Sequence, residues 1–183
     1  MRRRRAHPRR SLRCRRRQKG DPEEPGDHAL GRSRGGFSTK LHLVCDRHGH
    51  PLGVHVTPGQ AHESQGLVEL LEGVDWTDWD KEPLAYPLKL AGDKAYRAEW
   101  IDDWLLELGI DPVIPSKGNE QRDDRPVQFD RQAYRQRNII ERLIGWLKES
   151  RRIMTRFEKT AINFLAMVKW AFIKRYLRVM IVE

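Results

Sequence analysis

PLKLAGDKAYRAEWIDDWLLELGIDPVIP, residues 87 to 115, carries the reading that decides the fold. A short apolar strand leads to Gly92 and Asp93. A helix is expected from about Ala98 to Leu108, with Trp100, Ile101, Trp104, Leu105 and Leu108 facing inward. DPVIP then reads as a second short strand. Strand, helix, strand in one run predicts a parallel crossover and an α/β fold. Functional residues of parallel sheets gather at the carboxyl ends of the strands, which singles out Asp93.

Upstream, residues 37 to 45 alternate Phe37, Thr39, Leu41, Leu43 and Cys45 with Lys40, His42 and Val44, and alternation resumes in PLGVHVT after DRHGH. This spacing predicts a β-hairpin, so the sheet is mixed, with antiparallel hairpin strands and a parallel part, flanked by helices. TPGQAHES, residues 57 to 64, leads into a helix carrying Leu67, Val68, Leu70 and Leu71, with His62 or Ser64 near its start. GRSRGG, residues 31 to 36, is a glycine-rich turn whose amides and two arginines, Arg32 and Arg34, suit a phosphate as well as they suit a plain turn.

Downstream, YRQRNIIERLIGWLK, residues 134 to 148, places Tyr134, Arg137, Glu141 and Lys148 on one helical stripe, an arc of roughly 60° at about 100° per residue. Ile139, Ile140, Leu143, Trp146 and Leu147 form the apolar back. Most helices with a charged front are simply solvated. Here the front offers one carboxylate among two cations and a phenol. Asp93 and Glu141, converging from different elements, would hold Mg²⁺, a hard ion that takes oxygen ligands. Arg137 and Lys148 would then grip phosphates, and Tyr134 would stack on a base or cap the site. A final helix is expected from about Thr160 to Met180.

The chain has 183 residues, enough for one domain with a real core, and a net charge of +9 that is unevenly spread. Residues 1 to 20 carry +11, residues 21 to 130 carry −11 and residues 131 to 178 carry +10. Basic clusters at both ends are the electrostatic footprint of a polyanion, with nucleic acid the natural partner. A solubilising arm is an equal alternative for the first of them. Residues 1 to 30 are read as a basic, disordered tail and linker, and residues 31 to 183 as the folded domain. Cys14 and Cys45 show neither CxxC spacing nor partner histidines, so neither disulfide nor structural zinc is expected. No run of nearly twenty apolar residues and no secretory signal is present, so a cytoplasmic protein acting on nucleoid DNA, with no membrane partner, is expected.

GRSRGGFSTKLHL, TPGQAHES, GDKAY and the Tyr-Arg-Glu-Lys helix, in that order, resemble the DDE transposases of bacterial insertion sequences, and within them the insertion-sequence-5 family. The resemblance covers about residues 31 to 180. It implies a ribonuclease-H-like fold, an acid triad dependent on Mg²⁺ with Mn²⁺ as substitute, and DNA cleavage at element ends followed by strand transfer. It makes Asp93 the second acid and Glu141 the third. The partners it implies are terminal inverted repeats, target DNA, and further copies of the chain or an upstream-frame product. Arg5, Ala6 and His7 match the family's first-acid motif, which places that Asp just before Met1, so an incomplete first strand and an N-terminally truncated or frameshifted product, inactive alone, are expected. A noncatalytic DNA-binding fragment is the alternative, and a nuclease using Asp46 or Glu63 in the vacant role is a third.

Overall fold

Alternation over residues 36 to 58 produces the predicted hairpin. The computed structural model describes residues 12–13, 28–33, 36–77, 84–118, 120 and 125–182. Its strands are β1 (Leu12–Arg13), β2 (Gly31–Ser33), β3 (Gly36–Cys45), β4 (Pro51–Pro58), β5 (Lys89–Ala91) and β6 (Asp111–Val113). Its helices are α1 (Leu67–Glu72), α2 (Glu99–Glu107), α3 (Arg131–Arg135), α4 (Asn138–Glu149), α5 (Arg151–Met154) and α6 (Ala161–Val182). β3 pairs antiparallel with β1, β2 and β4, while β5 and β6 form a separate parallel pair. Arg34 and most of the arginine-rich start lie outside the described residues. Leu12 and Arg13, in the segment read as tail, pair with Thr39 and Ser38.

Successive side chains of a strand point to opposite faces, and here both faces are covered. Leu41 and Leu43, in register with Val56 and Val54, face a core built from Leu147, Ile153, Phe164, Val168 and Phe172. Val44 faces the other way, onto Leu67, Leu70, Leu71, Ile101 and Leu105. Fully burying one such side chain is worth about 1.5–3 kcal/mol, so two helical layers clamp one sheet. The hairpin turn is tied by Asp46, whose Oδ1 accepts from the amides of His48 and His50, both at 2.8 Å.

The crossover forms as the pattern requires: β5 and β6 pair from Lys89↔Asp111 to Ala91↔Val113, with α2 between them. Gly109 ends α2 at φ +74, where its amide donates to Leu106 O at 2.9 Å and that of Ile110 to Leu105 O at 2.8 Å. This double closure needs a left-handed residue, which glycine adopts without strain. One expectation for α2 fails. Trp100 is 47% exposed, and the inward place beside Ile101 belongs to Asp102, 2% exposed. A charged residue cannot be recognised as inward from periodicity alone. Asp102 is buried because Arg125 donates to both its oxygens, at 2.6 and 2.7 Å, with Arg97 at 3.0 Å.

The final helix runs close to its predicted span. Phe164, Val168 and Phe172, spaced by four, form its buried stripe. Arg156, just before it, takes φ +44 and is 3% exposed. Its guanidinium donates to the carbonyls of His28 and Lys159 and to Thr39 Oγ1, and lies 5.1 Å from the Phe164 ring centre. One arginine thus joins the α5–α6 turn to β3 and to the chain entering β2. Among the described residues no helix is long and apolar enough to cross a membrane.

Candidate active site

A cavity of about 790 Å³ opens between β3, β5 and α4, and Asp93, Glu141, Arg137 and Lys148 all line it. Asp93 stands two residues beyond β5, where the strand-end argument puts it. Its Oδ1 accepts from Ala95 N at 2.9 Å and starts the tight turn Lys94–Tyr96. Glu141 lies in the first turn of α4 with its side chain 60% exposed, and Arg137 Nη2 donates to it at 2.7 Å. The apolar back of α4 supplies the anchorage, through buried Leu143 and Leu147.

Tyr134 departs from the single-stripe expectation. Residues 131 to 149 form two helices rather than one, because the link is closed by tighter bonds, Gln136 N to Ala133 O and Arg137 N to Tyr134 O, both 3.1 Å. A tighter turn changes the angle per residue and takes Tyr134 off the stripe. Its ring packs on Phe129, with centroids 5.2 Å apart, and on the Arg137 guanidinium, 5.3 Å away, and it is not part of the cavity wall. Asp130 fixes α3 by accepting from the amides of Gln132 and Ala133 at 2.9 Å. Arg32 lies exposed on β2 and does not line the cavity.

The cavity also holds residues that sequence reasoning did not single out. Lys40 ion-pairs with Glu63 at 3.0 Å and donates to the carbonyl of Ala61. His42 is 2% exposed, with Nδ1 2.7 Å from Tyr96 Oη and Nε2 2.9 Å from Thr57 Oγ1. It therefore ties β3 and β4 to the turn that Asp93 begins. Burial, and then the neighbouring His55, push its pKa down to about 4. Gly66 packs so close that an added Cβ would stand 2.7 Å from His42 Nε2. The available signal was that Lys40, His42 and Val44 share one strand face, two polar residues where a covered sheet expects apolar ones.

The two alternative carboxylates are engaged. Asp46 is held below its ordinary pKa because hydrogen bonds from His50 and His48 outweigh burial, which alone would raise it. Burial raises Glu63 too, but the Lys40 hydrogen bond outweighs that and leaves it lowered. His62 caps the turn Glu63–Gly66, accepting from Ser64 N at 3.3 Å. Among the described residues no group of three or more His, Cys, Asp or Glu is placed to hold a metal ion.

Asp93 beyond β5 and Glu141 on α4 thus line one cavity together with Arg137 and Lys148. Residues 10–173 match the family model described as Transposase DDE domain. The chain belongs to this transposase family. It is 30% identical over 142 residues to a Brucella ovis protein named as the transposase for insertion sequence element IS6501, covering 78% of this chain and 100% of that one. It is 28% identical over 137 residues to a Burkholderia cepacia protein named as the transposase for insertion sequence element IS402. That match covers 74% of this chain, which spans 60% of that relative's length. No solved structure matches.

Proposed function

We propose that this chain is the catalytic portion of a DNA transposase, a ribonuclease-H-like domain over residues 31 to 183, in which Asp93 and Glu141 hold Mg²⁺. The observation that carries the reading is the shared wall: the two carboxylates, Arg137 and Lys148 face one cavity although β5 and α4 are far apart in sequence. The donor set fits the ion. Mg²⁺ commonly uses one or two carboxylates, keeps several waters and takes further oxygens from substrate phosphates. When bound, it would polarise a phosphodiester and stabilise the attacking and leaving oxygens.

The chain's own residues supply positioning. Arg137 and Lys148 hold the phosphates of the scissile strand, and Tyr134, stacked under the Arg137 guanidinium, fixes its direction. Arg32, Arg34 and the basic start contact phosphates further along the DNA, which in this reading carries terminal inverted repeats. In this reading Asp93 and Glu141 are two members of the family's acid triad, and a further copy or an upstream-frame partner supplies the third. Asp46 and Glu63, already held by the hairpin turn and by Lys40, are poor substitutes.

The test is cleavage of DNA bearing the cognate terminal repeats, with Mg²⁺ or Mn²⁺. Cleavage by the chain together with such a partner should be lost in Asp93→Asn and in Glu141→Gln. Strong cleavage by either variant would overturn the assignment. Undiminished DNA binding without cleavage under the same conditions would favour the second reading, a noncatalytic regulator.

A further inference from the structure

We propose that His42 and Tyr96 are positioning residues that fix the direction in which Asp93 presents its carboxylate to the cavity. This role rests on the reading of Asp93 as a metal ligand and adds what holds that ligand still. Local structure alone gives Asp93 little rigidity. It stands two residues past β5, a strand of three residues, and opens a single tight turn, Lys94–Tyr96. The turn is closed by Ala95 N to Asp93 Oδ1 at 2.9 Å, Tyr96 N to Asp93 O at 2.9 Å and Arg97 N to Lys94 O at 3.1 Å. Such a turn has poorer hydrogen-bond geometry than an α-helix and no cooperative length behind it, so it opens locally at little cost.

The far end of the turn is tied to something stiffer. The Tyr96 hydroxyl lies 2.7 Å from His42 Nδ1, and the two rings meet edge-on with centroids 6.0 Å apart. His42 Nε2 lies 2.9 Å from Thr57 Oγ1, so β3 and β4 both stand behind the bond. A neutral imidazole carries one N–H, so one hydroxyl donates to the ring and the other accepts from it, and both nitrogens are satisfied. The turn Glu63–Gly66 closes on the ring from a further side, where a Cβ at Gly66 would stand within 2.9 Å of three ring atoms. The path from Asp93 through Tyr96, His42 and Thr57 thus ends on the ten-residue β3 and the eight-residue β4.

Stability alone does not account for this arrangement. Exchanging two bonded buried polar groups for apolar groups of like shape is close to neutral, so a covered strand face gains little from a histidine where a leucine would pack. What a satisfied buried network supplies is one defined geometry. A metal-binding carboxylate needs that, since it must be held within about 0.5 Å of its productive place by the residues supporting it.

The experiment uses the full chain and reads two quantities. One is Mn²⁺ affinity, from the paramagnetic resonance of the free ion, and the other is amide exchange at Ala95 with no metal present. Tyr96→Phe removes one hydroxyl and keeps the ring. It should weaken Mn²⁺ binding about tenfold, the low end of what loss of an outer partner costs a metal site. Exchange at Ala95, whose N–H is bonded to the Asp93 carboxylate, should speed up by a similar factor. His42→Leu should do the same, and the double variant should lose no more than either single one, because both act along one path. Variants that unfold at lower urea but keep Mn²⁺ affinity and Ala95 exchange would reduce the pair to scaffolding and overturn the proposal. Asp93→Asn separates that failure from failure of the underlying reading. Unchanged Mn²⁺ affinity in Asp93→Asn removes Asp93 from the metal site, whereas weakened affinity there with Tyr96→Phe at the natural value overturns the positioning role alone.

Discussion

Arg137 Nη2 lies 2.7 Å from Glu141 Oε1, one helical turn apart, so the carboxylate proposed to hold metal already sits beside a cation. With Glu141 60% exposed, such a pair is worth about 0–1 kcal/mol, small enough for a divalent ion to displace. Glu141→Gln is expected to weaken Mn²⁺ binding at least tenfold, read by the paramagnetic resonance of free Mn²⁺. Arg137→Gln should leave it equal or slightly tighter. Unchanged affinity in the Glu141 variant would remove the glutamate from the metal site.

Binding to duplex DNA should fall steeply with salt, because each neutralised phosphate releases counterions. Replacing Lys148 by Gln should weaken binding across all sequences and reduce the slope of log affinity against log salt by about 0.9, the value for one phosphate contact. A slope unaltered by the substitution would place Lys148 away from the backbone.

His42 gives stability a pH dependence whose sign is fixed by its lowered pKa. The unfolded histidine, near 6.5, takes up a proton before the folded one, near 4. Stability is therefore full above about pH 6.5 and declines as pH falls toward 4, by roughly 3 kcal/mol over the whole window. The carboxylates Glu63 and Asp46, lowered in the fold from 4.5 and 3.8, begin to add their own loss at the acid end of this window. Urea unfolding at pH 7 and pH 5 should show the difference in the natural chain and a flattened one in His42→Gln. Equal pH dependence in both would show that the decline comes from other groups.

Asp102 predicts a strong asymmetry between single and paired substitutions. Asp102→Ala leaves Arg125 and Arg97 buried without their shared anion, a loss of about 3–5 kcal/mol. Replacing Asp102 and Arg125 together by Leu and Met should recover much of it, since a buried ion pair is often no more stable than apolar packing. Thermal unfolding of the three variants measures the coupling, and simple additivity would contradict the buried pair.

The hairpin, the crossover and the position of Asp93 were legible because each rests on local spacing. Alternation marked β3 and β4, and a strand followed at once by a helix and a second strand left little choice of topology. The front of α4 was legible too, as Arg137, Glu141 and Lys148 do reach one cavity. What escaped was set by partners distant in sequence. Trp100 yields its inward place to Asp102 only because Arg125, 23 residues on, neutralises the charge. Tyr134 left the stripe through a one-turn change in bonding that no residue announces. Nothing in the residues around Arg156 marks it for burial, yet it is buried against Thr39, 117 residues away.

In the 22-residue α6, Phe164, Val168 and Phe172 are buried and Ala161, Leu165 and Ala171 pack partly against the same core. Ile162, Trp170, Ile173, Leu177 and Met180 stay exposed, interleaved with Lys169, Lys174 and Arg178. A rod that is greasy and cationic along its outer side behaves like a soap. A contiguous exposed apolar stripe of this kind favours self-association, which is expected to grow as the protein is concentrated.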